Sequence, residues 1–312
     1  MAITVGIAGI TGKFARLVVN HLLKETEVQI RGFCRNANKL PEETRTRPNI
    51  TIIEGEATDV DKLRQFAQGC DVVVCCYMGD DNLMIDGQKL LIDACEVENV
   101  VRYVASDYSL DFTKLEYGRH PTKDPSKHIK EYLETKKTIK GVHILIGAFM
   151  ETFWSSYFGV FDAKECTLSF YGSGHEVWES TTYDTAAHYT AAVAMDPGAT
   201  GVLHFLGDRK SIHQIADELE QVYGKRPRLE HRGSLEELYT TMQAIARKDP
   251  ANVYAYMALF YQYYCTNGQT YLKQELDNPR YPQVSPVTFK AFMQSHNLET
   301  LNEEYQTVGT GV

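Results

Sequence analysis

A glycine-spaced turn stands at the first junction between an apolar run and an amphipathic one. Gly6-Ile7-Ala8-Gly9-Ile10-Thr11-Gly12 overlaps the apolar run from Ile3 to Ala8. It precedes a stretch, Lys13 to Glu25, that carries Phe14, Val18, Leu22 and Leu23 on one side. Glycine lets a backbone turn sharply and approach a ligand closely. A helix that starts just after such a turn aims unpaired N–H groups at an anion. Strand, G-x-x-G-x-x-G and helix, in that order, are expected to hold the pyrophosphate of a dinucleotide. Gly6, Gly9, Ile10, Thr11, Gly12, Lys13 and Phe14 are the candidate contacts.

The alternation continues through the first half. Apolar runs at Val28–Cys34, Ile50–Glu54, Asp71–Tyr77, Val100–Ala105 and Val142–Ile146 read as strands. Helical spacing at Asp59–Gln68, Met84–Glu98 and Ser126–Ile139 separates several of them. Strands joined by helices give parallel units. The expected fold class is therefore α/β, a Rossmann doubly wound parallel sheet with a smaller, mainly helical C-terminal substrate region. The expected division is 1–155 for the dinucleotide domain and 156–312 for the substrate region, with segments near 185–207 returning to the first. Helices are expected at Thr185–Ala194, Ser211–Tyr223, Leu235–Ala246 and Asn252–Tyr264, and a strand at Gly201–Leu206.

The end of the second strand bears on the choice of cofactor. NAD-preferring sites place an acid there, on the ribose 2′-hydroxyl. No acid occurs from Val28 to Pro41; the run ends Cys34-Arg35-Asn36, with Lys39 close behind. A guanidinium suits a 2′-phosphate, so Arg35, Asn36 and Lys39 point to NADP(H). In such folds ligands lie beyond the carboxyl ends of the strands. That places Met78-Gly79, Ser106 and Gly147-Ala148-Phe149 along the cofactor.

The net charge of -9 and pI near 5.6 argue against a nucleic acid or an anionic membrane surface as partner. The seven cysteines form no C-x-x-C pair, and Cys75 and Cys76 are adjacent, hence on opposite faces of a strand. A reduced, cytoplasmic protein without a metal site is expected. The chain opens on Ala2-Ile3-Thr4-Val5-Gly6 without a leader pattern, and no run of about 18 apolar residues suggests a span. A small molecule is the expected partner; a homo-oligomer is left open.

The glycine loop, Arg35, Val101-Arg102-Tyr103-Val104-Ala105-Ser106-Asp107-Tyr108 and Gly147-Ala148-Phe149-Met150-Glu151-Thr152-Phe153 together resemble the NmrA-like and isoflavone-reductase-like atypical short-chain dehydrogenases. The resemblance implies NADP(H) and reduction of a small organic molecule. The aromatic-rich second half is most similar to fungal members of secondary metabolism. Reductases of this group carry a catalytic lysine at the start of the helix before the sixth strand, which implies that role for Lys127. Locally, Asp124 is expected as N-cap and Pro125 as first helical residue. The helix N-terminus and the like charge of Lys130 are expected to lower the Lys127 pKa.

Tyr132-x-x-x-Lys136 matches the pair used by ordinary short-chain dehydrogenases, but it falls past Lys127 and is read as structural. Asp107 is a candidate acid or base, or a turn cap. Tyr108, Met150, Phe153, Trp154 and Tyr261 are candidate substrate contacts. The segment with Tyr254, Tyr256, Phe260, Tyr261, Tyr263 and Tyr264 is either an aromatic lid or packing.

The leading expectation is an NADP(H)-dependent oxidoreductase acting on an aromatic or alkaloid-like metabolite. A variant is a redox-assisted cyclase, in which hydride transfer sets up a Diels-Alder-type ring formation. The rival is a non-enzymatic NADP(H)-sensing regulator. A scaffold with a vestigial loop is a third reading.

Overall fold

The computed structural model describes residues 2–307. In the first half the chain runs β1 (Ile3–Ala8), α1 (Lys13–Leu22), β2 (Val28–Cys34), α2 (Glu42–Arg45), β3 (Ile50–Glu54), α3 (Val60–Ala67) and β4 (Val72–Cys75). A π-helical turn at Asn82–Gly87 leads into α4 (Gln88–Val97), then β5 (Arg102–Val104), α5 (Asp124–Glu134) and β6 (Lys140–Leu145). The second half contains β7 (Ala148–Phe149), α6 (Met150–Trp154), β8 (Phe161–Asp162), β9 (Thr167–Phe170), β10 (Val177–Thr181) and α7 (Tyr183–Met195). β11 (Gly201–His204), β12 (Asp208–Ser211), α8 (Ile212–Tyr223), β13 (Arg228–His231), α9 (Leu235–Lys248), α10 (Met257–Thr266), α11 (Phe289–Gln294) and α12 (Glu304–Thr307) complete it.

Seven strands form one parallel sheet in the order β11-β6-β5-β4-β1-β2-β3. Without β11 this is the 3-2-1-4-5-6 order of a doubly wound dinucleotide fold. The connections reverse direction between β1 and β4, which opens a crevice at their carboxyl ends. β4 shows why the sheet is covered on both faces. Val72 and Val74 join one core cluster and Val73 and Cys75 the other, as side-chain alternation requires. α1 and α7 cover the first face with Val18, Leu22, Tyr189 and Val193. α3, α4 and α5 cover the second with Leu63, Phe66, Leu91, Ile129 and Leu133. Each such fully buried side chain contributes roughly 1.5–3 kcal/mol.

After residue 180, α7 packs on α1 and β11 pairs with β6. The remaining part surrounds a third cluster that includes Phe153, Trp154, Trp178 and Phe289. It holds two small sheets, β12-β10-β7 and β13-β9-β8, in addition to its helices. The sequence reading missed both, because the strands are short and their apolar residues show no long alternation. α8 and α9 are framed by capping boxes, Ser211 with Gln214 and Ser234 with Glu237. Among the described residues no helix is long and apolar enough to cross a membrane.

Candidate active site

The glycine turn connects β1 to α1 at the crevice. Gly9 has φ +78°, and a Cβ there would lie 3.0 Å from the Cys76 carbonyl oxygen. Both facts demand glycine. The Gly12 N–H donates to the Gly9 oxygen at 2.9 Å, closing the turn. Gly12 precedes α1 and provides no side-chain cap. The N–H groups of Thr11, Lys13 and Phe14 therefore lack acceptors among the described residues, the anion cradle of an uncapped helix start. Lys13 Nζ donates to the Tyr305 and Gln306 carbonyl oxygens at 3.1 and 3.3 Å, so the last described turn of the chain crosses this helix start.

Two of the seven candidates in this loop have other duties. Gly6 lies inside β1, where a Cβ would meet Val73, Phe66 and Cys70 at 2.9–3.1 Å. It is a packing glycine and not part of the turn. The working triplet is Gly9, Gly12 and the fully buried Ala15, the third position serving close helix–strand packing. Ile10 is fully buried, and its N–H is taken by the Phe33 oxygen at 3.2 Å. Its side chain packs over Gly32.

Arg35 follows β2 directly. It is exposed and has no hydrogen bond or ion pair with another described residue. Lys39 is also exposed, while the Asn36 side chain accepts the Asn38 N–H at 2.9 Å and shapes the loop. The edge beyond β2 thus presents an uncommitted guanidinium.

Past β4, Met78 is 86 % exposed and Gly79 follows it at the crevice. Past β5, Ser106 is nearly buried; its hydroxyl donates to the Tyr77 oxygen at 2.7 Å and its N–H to Gln88 Oε1 at 3.3 Å. Asp107 is buried and paired with His143 Nδ1 at 2.7 Å, with the carboxylate turned into β6. It ties the segment after β5 to β6, a correction to its expected place beside a substrate. Tyr108 has φ +36°, a strained value for a bulky residue. Its ring packs 4.3 Å from that of Phe14, and its hydroxyl donates to the Cys75 oxygen at 3.4 Å. It buttresses the glycine turn and does not line an open pocket.

Helices of a parallel fold run against the strands, so the start of α5 lies at the same carboxyl edge. Lys127 sits in the first turn of α5 and is buried. Its ammonium lies 3.1 Å from Asp124 Oδ1 and 4.7 Å over the Tyr117 ring. Asp124 is the first helical residue and not the cap. It accepts the Gly118 N–H at 2.8 Å and so holds both the preceding loop and Lys127. Lys130, expected to act on Lys127, is instead paired with Glu134. Tyr132 and Lys136 are both engaged by Asp93, on the α4 side and away from the crevice.

Gly147 has φ +70°, and a Cβ would clash with the Glu179 carbonyl oxygen. This turn brings Ala148 and Phe149 into β7, beside β10. Phe149 stacks on Tyr183 at 3.7 Å with 7° between planes, and Phe14 approaches both. Met150, Phe153 and Trp154 are fully buried in the third cluster, so they are packing residues and not pocket walls. Of the aromatic segment, Tyr256, Phe260 and Tyr264 are core, whereas Tyr261 is half-buried with its hydroxyl 3.1 Å from Thr122 Oγ1. Tyr157 and Tyr254 remain exposed nearby. Burial raises the Tyr157 phenol, and the neighbouring Tyr261, Tyr254 and Tyr305 raise it further.

Residues 9–142 match the family described as NAD(P)H-binding. Those residues form an NAD(P)H-binding domain. Solved structures of similar fold include an isoflavone reductase at 16 % identity and TM-score 0.77, covering 95 % of this chain and 99 % of that one. The leucoanthocyanidin reductase–NADPH complex of Vitis vinifera has 16 % identity and TM-score 0.71, with 94 % and 98 % covered. The triphenylmethane reductase of Citrobacter sp., complexed with NADP(H), has 15 % identity and TM-score 0.67, with 96 % and 99 % covered. No curated protein matches by sequence.

Two buried titratable residues, Glu151 and His120, are not among the site residues expected from the sequence. Glu151 is buried, and both its oxygens accept the Tyr183 N–H at 3.0 Å. Burial pushes its carboxyl up to about 8, despite the backbone donors, with Asp184 and Glu304 adding to the rise. A lone acid inside Met150-Glu151-Thr152-Phe153-Trp154 was a readable signal. His120 is fully buried against Phe260, Tyr261 and Tyr264. Burial holds it well below its ordinary pKa, and Lys123 and Lys127 act in the same direction. No sequence spacing announced these contacts, because they join segments far apart in the chain.

Proposed function

We propose that the chain is an NADP(H)-dependent reductase of a small aromatic or alkaloid-like metabolite, of the isoflavone-reductase-like kind, working in secondary metabolism. One observation carries the reading. A buried lysine, Lys127, held by Asp124, stands at the same sheet edge as the uncapped glycine turn of the NAD(P)H-binding domain. Phosphate-binding turns place the cofactor along that edge. The uncommitted Arg35 favours a 2′-phosphate and therefore NADP(H) over NAD(H).

When bound, NADPH supplies a hydride to a carbon of a C=C, C=O or C=N bond. The chain supplies the rest. The free N–H groups of Thr11, Lys13 and Phe14 bind the pyrophosphate. Phe149 and Tyr183 limit water at the reacting edge. Lys127 holds the proton that goes to the atom next to the reduced carbon. Tyr157, Tyr254 and Tyr261 offer flat surfaces to an aromatic framework.

The test is to incubate the protein with NADPH and a panel of aromatic enones, ketones and imines, following NADPH absorbance and product mass. Consumption of NADPH with a dihydro product is the expected result. A ring-closed product without net consumption would shift the reading to the hydride-assisted cyclase. NADPH binding without turnover of any panel member would favour a regulator.

A further inference from the structure

We propose that Lys123, with the Tyr261 and Thr122 hydroxyls, forms a subsite for a carboxylate carried by the aromatic substrate. The inference deepens the reductase reading above and rests on it. Two lysines are buried among the described residues, Lys123 and Lys127. Lys127 has Asp124 as partner. Lys123 is only 6 % exposed and has no carboxylate partner among the described residues. Its ammonium lies 5.4 Å over the Tyr261 ring. The side chain is nearly buried while its ammonium has no hydrogen-bond or carboxylate partner among the described residues, so an incoming anion would complete it.

A second observation lies beside it. The His120 Nε2 is buried with no hydrogen-bond partner, and the His120 ring is 4.7 Å from that of Tyr261. The Tyr261 hydroxyl is 3.1 Å from Thr122 Oγ1, so two hydroxyls meet on the ring over which the ammonium lies. Lysine and hydroxyl donors around one point match oxygen acceptors. Among the described residues Lys123 is the one buried lysine without a carboxylate partner, which suits a monoanion such as a carboxylate better than a phosphate dianion. Lys127 follows Lys123 by four residues, about one helical turn or roughly 5–6 Å. An anion fixed on Lys123 therefore sets the neighbouring part of the substrate beside Lys127.

The probes are cinnamate and methyl cinnamate, which share a framework and differ in charge. Their affinities are measured on the NADPH-loaded full chain, for wild type, Lys123→Met and Lys123→Arg, with NADPH affinity measured separately on each. Wild type should bind cinnamate at least about ten-fold more tightly than the ester, and the preference should weaken with salt. Lys123→Met should abolish the preference and Lys123→Arg keep most of it, with NADPH affinity unchanged. Equal binding of the two probes by wild type, or no cinnamate binding at all, overturns the subsite. A full preference in Lys123→Met does so too. Failure of wild type to bind NADPH would instead overturn the reductase reading itself.

Discussion

The Glu151 carboxylate receives the Tyr183 N–H on both oxygens, at 3.0 Å each, and so joins α6 to the first residue of α7. Tyr183 in turn stacks on Phe149. A buried acid thus fixes the Phe149–Tyr183 aromatic pair. The carboxyl is raised from 4.5 to about 8, first by burial. In that window the folded chain holds a proton that the unfolded chain has released. Stability contributed by this group is present below about pH 4.5 and is lost as pH rises towards about 8. Glu151→Gln should remove this loss, on the order of 3–6 kcal/mol across the window. Urea denaturation of both proteins at low and high pH measures it. An identical pH slope in the two would contradict the assignment.

Gly6 and Gly9 should respond to alanine in different ways. Gly6→Ala pushes on Val73, Phe66 and Cys70 and should cost about 1–3 kcal/mol of stability with NADPH affinity nearly unchanged. Gly9→Ala strains a φ of +78° and crowds the Cys76 oxygen, so NADPH affinity should fall roughly ten-fold or more. Thermal denaturation and NADPH titration of each variant separate the two effects. A large affinity loss in Gly6→Ala would restore it to the turn.

Lys127 and Tyr132 should also part company. Lys127→Met should lower turnover on the order of 10²–10⁴-fold, with NADPH affinity within about three-fold of wild type. Tyr132→Phe loses a hydroxyl bound to Asp93 and should leave turnover within about two-fold. Steady-state kinetics with any substrate found in the panel decides between them. Comparable losses in both would place the Tyr132–Lys136 pair in the chemistry.

The sheet was legible because each of its strands carries its own signal. Val72 to Cys76 is apolar on both faces, and the helices between strands show a one-sided stripe. β1, β2 and β3 fall at the residues their apolar runs suggested. The phosphate turn was legible for the same local reason, although the spacing alone did not separate Gly6 from Gly9; only strand register does that. The rest depends on distant contacts. Asp107 reads as a site residue until His143 from β6 is placed against it. Phe153 and Trp154 read as pocket walls until Phe289 from α11 packs on them. β7 and β10 are too short to announce a sheet, and with them went Tyr183.

The proposed NADP(H) site places the 2′-phosphate on Arg35. Its most direct test is the affinity of NADPH and NADH, titrated side by side on wild type and Arg35→Ala. Wild type should favour NADPH by roughly ten-fold or more, and Arg35→Ala should lose most of that margin, a change of about 1.5–3 kcal/mol, with NADH binding unchanged. Tighter NADH binding by wild type, or an unchanged margin in Arg35→Ala, would contradict the account.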